Sequence, residues 1–209
     1  MNILESMKSR QSVRKFKTDS VMDDDLNTIL ECAIEAPSAK NLQNWHFVVI
    51  KNKKMILELA DIVTQKNKEL SEYLEEDKKD KFLKFVKYAT IFKEAPILIL
   101  AYVGPYKITG IEEVISSGDN KTAEKMKLAA PGVHGVAAAM ENLMLSANHL
   151  GYGTCWMTSQ NYAMKEIEKR ININKEGYTL MAVTPLGVPE FIGSKPSRKE
   201  LKEVVTIIE

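Results

Sequence analysis

Apolar side chains recur at helical spacing in two long stretches of this 209-residue chain. Leu26, Ile29, Leu30, Ala33 and Ile34 fall on one face after a cap at Asp23 or Asp24, and Pro37 stops the run. Downstream of Pro131-Gly132, the residues Val136, Met140, Leu143, Met144 and Ala147 repeat the pattern until Gly151. That segment is rich in Ala and Met, which predicts a central helix buried on more than one side. Residues 2–9 predict a short opening helix. Three compact apolar runs, at 47–50, 96–103 and 179–184, predict strands. Continuous apolar runs with helices on either side imply a sheet covered on both faces. Helices and strands do not alternate regularly, so the pattern implies an α+β fold rather than a doubly wound one.

Two stretches read as insertions on a single domain spanning 1–209. Residues 65–94 mix Lys and Glu with Leu70, Leu74, Phe82, Phe85 and Val86, the mark of a solvated amphipathic helix. Residues 104–131 hold Gly104, Pro105, Gly110, Gly118 and Pro131 with little periodicity; a lid, a binding loop or plain mobile surface all fit.

Charge narrows the function. With 29 basic and 28 acidic residues the net charge is +1, which leaves no footprint for nucleic acid or an acidic membrane surface. The start, Met1-Asn2-Ile3-Leu4-Glu5, lacks a basic segment followed by an apolar one, so no signal peptide is expected. No apolar run approaches the roughly 20 residues that span a bilayer. Cys32 and Cys155 are isolated, with neither disulfide nor metal-site spacing, and a cytoplasmic location is expected.

Two polar clusters interrupt the apolar pattern. In Arg10-Gln11-Ser12-Val13-Arg14, an extended chain would point residues 10, 12 and 14 the same way, with the arginines about 13 Å apart at ~3.3 Å per residue. Two guanidinium groups and a hydroxyl on one side suit a long anionic ligand, one gripping a phosphate and the other a polar ring edge. Alone, the cluster also fits a basic surface turn. The second cluster, Ala36-Pro37-Ser38-Ala39-Lys40-Asn41-Leu42-Gln43-Asn44-Trp45, lies between a helix stop and a buried strand. Its amides offer both donors and acceptors, as a flavin pyrimidine ring requires, although a plain polar loop has the same composition.

Taken together, Arg-x-Ser-x-Arg followed by Ala-Pro-Ser-x-x-Asn-x-Gln-x-Trp resembles the FMN-dependent nitroreductase family. Gly151-Tyr152-Gly153-Thr154-Cys155-Trp156, then Pro185-Leu186-Gly187-Val188-Pro189 and Lys195-Pro196-Ser197-Arg198-Lys199, extend the resemblance to most of the chain outside about 55–130. The resemblance implies a central mixed sheet flanked by helices, in an interlocked homodimer with FMN at the subunit interface. Arg10 and Ser12 would hold the FMN phosphate, joined by Arg198; Arg14 would lie nearer the pyrimidine edge, and Gln11 would also bind the cofactor. Pro37, Ser38, Ala39 and Asn41 would approach from the partner. Met157, Thr158 and Ser159 would run past the ring, and Leu186 and Gly187 close to the ribityl chain or phosphate. The implied activity is transfer of hydride from NADH or NADPH, through the flavin N5, to a nitroaromatic, quinone or similar acceptor by a ping-pong mechanism. No catalytic side chain and no metal are expected, because the cofactor carries the chemistry. Alternatives are a narrower flavin enzyme (reductive dehalogenase or flavin-fragmenting) and a non-catalytic flavin-binding or storage protein. Lys40 and Asn44 depart from the family, which often has a small residue and a proline there.

Other chemistry-bearing residues read as bland. His46, His134 and His149 share no ligand spacing, and His134 reads as capping or surface. Cys155 reads as a small buried filler. Tyr102, Tyr106, Phe92 and Trp156 could stack on a substrate, but Phe92 and Tyr102 flank an apolar strand and read as packing. Gly151-Tyr152-Gly153 follows a helix and lacks the third glycine of a dinucleotide fingerprint.

Overall fold

The computed structural model describes residues 2–209, so Met1 of the opening segment lies outside it. Strand β1 (Trp45–Ile50), β2 (Ile97–Val103), β3 (Gly153–Thr154) and β4 (Thr179–Gly187) form one sheet in the order β1-β2-β4-β3. All three ladders are antiparallel. The parallel component expected of a mixed sheet is confined, among the described residues, to a single bridge between Ser12 and Thr154. The helices in chain order are α1 (Ile3–Ser9), α2 (Asp23–Ile34), α3 (Lys53–Ser71), α4 (Glu76–Lys84), α5 (Val86–Ala89), α6 (Ile111–Ser116), α7 (Asn120–Leu128), α8 (Pro131–His149), α9 (Met164–Ile171) and α10 (Leu201–Val204). The α+β reading holds.

Strand β2 explains why its sequence is unbroken in hydrophobicity: residues 97–102 are all buried, and successive side chains serve opposite cores. Leu98, Leu100 and Tyr102 pack with Ile56, Leu59 and Val63 of α3 and Ile167 of α9. Ile97 and Ile99 pack with Leu26, Ile29 and Ala33 of α2 and Leu143 and Met144 of α8. The sheet is therefore a septum with helices on both faces, as the continuous apolar runs implied. Phe92 and Tyr102 are packing residues, each about 1% exposed.

Caps follow local chemistry with one correction. At α1, the Asn2 side chain accepts from Glu5 N–H while the Glu5 carboxylate accepts from Asn2 N–H, a reciprocal box. Helix α2 starts one residue earlier than a cap at Asp23 would allow. Met22 is the N-cap, and Asp23, Asp24 and Asp25 occupy the first turn, where their charges favour the helix N-terminus. Gly151, at φ +87°, takes the left-handed conformation that ends α8 and turns the chain into β3.

Residues 65–94 are helical, as their pattern implied, whereas 104–131 are more ordered than their composition suggested. Residues 65–94 hold the second half of α3, then α4, α5 and a 3-10 turn at Ile91–Glu94. Residues 104–131 are not irregular throughout: α6 and α7 occupy most of them. No helix among the described residues is long and apolar enough to cross a membrane.

Candidate functional site

The segment after α1 is held extended by the sheet edge. Val13 N–H donates to Thr154 C=O at 2.8 Å, Lys17 N–H to Val188 C=O at 2.9 Å, and Glu190 N–H to Lys15 C=O at 3.1 Å. Val13 and Phe16 turn inward, where Ala95 meets them, and the arginines are left outside. Arg10, Gln11, Ser12 and Arg14 then line a cavity of about 410 Å³ together with Lys15, Phe191, Ser194 and Arg198. Four of its lining residues are cationic and none is acidic. Such a concentration of donors in one concavity is what a phosphate dianion needs. Gln11 Nε2 donates to Gly193 C=O at 3.0 Å and ties the N-terminal segment to the C-terminal one that delivers Arg198. Arg10 Nε lies 3.6 Å from the Glu141 carboxylate, a long pair in which Arg10 is 20% and Glu141 49% exposed.

A second cavity, about 720 Å³, shares Arg14 with the first. Its floor is Cys155, Trp156, Met157, Thr158 and Ser159; its wall is Phe82 and Phe85 of the α4 end, Tyr88 of α5, and Tyr162. Burial pushes the Cys155 thiol up, against opposing pulls from the Arg14 guanidinium, a Ser12 hydrogen bond and Arg10. Cys155 itself is 4% exposed and fits the filler role.

A glycine keeps this junction closed. Gly153 pairs with Gly187 across β3 and β4, and a Cβ on Gly153 would stand 2.7–2.8 Å from three side-chain carbons of Val13. Gly153→Ala is expected to cost about 1–3 kcal/mol by overpacking and to shift the arginine segment. A melting curve and an FMN titration on the same variant check this: lowered Tm with unchanged affinity would uncouple the glycine from the site.

Of the remaining expected site residues, six line neither cavity of this chain. Pro37, Ser38, Ala39 and Asn41 line neither cavity. They form a tight loop in which Lys40, Asn41 and Gln43 have φ of 57°, 51° and 49°. Ser38 Oγ accepts from Gln43 N–H at 2.9 Å, and Asn41 Oδ1 from Gln43 Nε2 at 3.0 Å. Thr158 and Ser159 do line the second cavity, beside Met157. Leu186 is fully buried in the core, and Gly187 is buried with Pro96 and Phe16 against it; within one chain neither reaches a cavity. Phe82 and Phe85 were legible only as apolar positions of an amphipathic helix, and Tyr88, Phe191 and Ser194 carried no signal.

The cavity pair suits FMN in one respect that an isolated basic patch would lack: Arg14 lines both the cationic cavity and one lined by aromatic side chains. Comparisons with known proteins agree with this geometry. The family model described as Nitroreductase family matches residues 7–188. A BluB-like flavoprotein from Clostridium difficile 630 is 40% identical and superposes with a TM-score of 0.93, each chain covered over 100%. A nitroreductase with bound FMN from Bacteroides fragilis is similar in fold, at TM-score 0.74 and 21% identity, with 100% of each chain covered. An iodotyrosine deiodinase from Thermotoga neapolitana is 26% identical over 93% of this chain and 92% of its own.

Proposed function

We propose, from the premise that this chain belongs to the nitroreductase family, that it is an FMN-dependent oxidoreductase passing hydride equivalents from NAD(P)H to a small oxidised acceptor. The carrying observation is the Arg14 junction between a cationic cavity and an aromatic one. Arg10, Ser12 and Arg198 would hold the phosphate and Arg14 would lie at the pyrimidine edge, with Gln11 bracing the segment that brings Arg198 in. Thr158 and Ser159 would border the ring, and Leu186 and Gly187 would support that end from beneath. FMN would supply an N5 atom able to take up and release hydride. A fixed guanidinium at the junction favours the negative charge that reduction places on the cofactor.

The homodimer belongs to the same proposal. Pro37, Ser38, Ala39 and Asn41 line neither cavity of their own chain, and their supply by a second copy would complete an interfacial site. Free Cys32 and Cys155 fit a reducing, cytoplasmic setting. The whole chain, insertions included, acts as one cofactor-binding domain. A single open cavity serving both nicotinamide and acceptor implies alternation, hence ping-pong kinetics with nitroaromatics or quinones.

The deiodinase relative favours a second reading, a narrower reductive dehalogenation by the same cofactor. Purified protein is expected to be yellow and to bleach anaerobically with NADH or NADPH. Colourless protein indifferent to added FMN defeats the proposal. Tight FMN binding without reduction would instead indicate flavin storage, and turnover restricted to halogenated phenols would select the second reading.

A further inference from the structure

Helices α6 and α7 pack chiefly on each other rather than on the body of the protein. Sparse packing of this kind marks a unit of low local stability, whose position is set by its attachments. Two residues of the polar loop provide them. Asn44, buried at 6% exposure, grips the base. Its C=O accepts from Gly104 N–H at 2.6 Å, and its side-chain amide donates to Gly104 C=O at 2.9 Å. The other stem reaches the same amide, since a Cβ on Gly132 would stand 2.8 Å from Asn44 Nδ2. Further out, the Lys40 ammonium donates to the Thr109 hydroxyl at 2.9 Å and sits 5.6 Å from the centroid of the Tyr106 ring. No ion pair with an acidic group competes for Lys40 among the described residues, although Glu112 and Glu113 line the same cavity of about 250 Å³; Glu112 is taken by Lys107 at 3.6 Å. The left-handed backbone at Lys40, at φ 57°, is a conformation that non-glycine residues adopt only where contacts compensate.

We propose that Lys40 and Asn44 form a two-point latch joining the polar loop to the α6–α7 hairpin, and that the latched hairpin is the wall that sets which acceptors reach the flavin. Lys40 and Asn44 are positioning residues in this scheme. The latch stands on contacts within one chain. The wall assignment rests on the FMN reading above, with the polar loop facing the cofactor of a second copy. A proline at position 44 would have no amide to donate, and a small residue at 40 no ammonium, so the two departures from the family pattern act on one device.

Hydrogen exchange of the full-length protein, free of added ligand, tests the latch. In Lys40→Met and in Thr109→Val, backbone amides over 106–128 are expected to exchange roughly three- to ten-fold faster than in the parent. Lys40→Arg, which keeps the cation and a donor, is expected to restore parental rates. Unchanged exchange in Lys40→Met overturns the latch. Steady-state kinetics on the flavin-loaded protein test the wall: the ratio of kcat/KM for benzoquinone to that for a bulky naphthoquinone is expected to fall at least three-fold in Lys40→Met. Faster exchange with an unmoved ratio overturns the wall and keeps the latch. Protein that never takes up FMN removes the proposed function and the wall with it, while the exchange rates still decide the latch.

Discussion

The Arg14→Ala protein is expected to leave purification nearly colourless, with a Kd for FMN raised roughly 100-fold and its fold intact. Arg14 is the residue common to both cavities, so its loss weakens the cationic end and opens the junction together. A hydrogen bond to a charged group contributes about 1.5–3 kcal/mol, and each ~1.4 kcal/mol is tenfold in affinity. The fold should lose little. The side chain is exposed, and the hydrogen bond found for it, to Ser12 C=O, is at the 3.5 Å limit of such contacts. Fluorescence titration with FMN, alongside circular dichroism of the apoprotein, separates the two quantities. Arg14→Lys is expected to recover part of the affinity, because an ammonium keeps the charge without the fork. Parental affinity in Arg14→Ala would remove this residue from the site, and the junction argument with it.

The largest loss of stability is expected from Leu143→Ala. Leu143 is fully buried on α8, where it meets Leu26, Ile29, Ile99 and Met144 beneath the sheet. Truncating a buried leucine costs about 2–5 kcal/mol, because transfer free energy is lost and the cavity collapses only in part. Against a total stability of about 5–15 kcal/mol, that is a large share. At about 2–4 °C per kcal/mol for a chain of this size, Tm should fall by roughly 5–15 °C. Urea unfolding and calorimetry check the value. A change below about 1 kcal/mol would mean that α8 does not organise the core as its burial implies.

The ease of reading differed between elements for physical reasons. Helices α2 and α8 were legible because burial on one broad face writes a 3.6-residue period into the chain. Strand β2 was legible because a septum buried on both faces leaves no polar alternation. The α6–α7 hairpin was not. Its faces pack mainly on one another, so its residues carry little of the core's periodicity, and the glycines at 104, 110 and 118 masked what helical signal there was. Asn44 was visible as a departure, but its role as a clamp depends on two stems that are far apart along the chain.

Local composition alone thus determined the α+β class, the main helices and strands, and the clustering of arginines and amides in two separate segments. Each of these depends on interactions within a few residues or on the burial of a single face, and such interactions leave a pattern in the order of side chains. Tertiary packing alone decided that residues 10–15 meet 191–198 around one cavity, that Arg14 also lines a second with 155–159, and that Asn44 bonds to Gly104. Those juxtapositions bring together residues 60 or more positions apart, and only the filling of a common core determines which of the many possible pairs come within bonding distance.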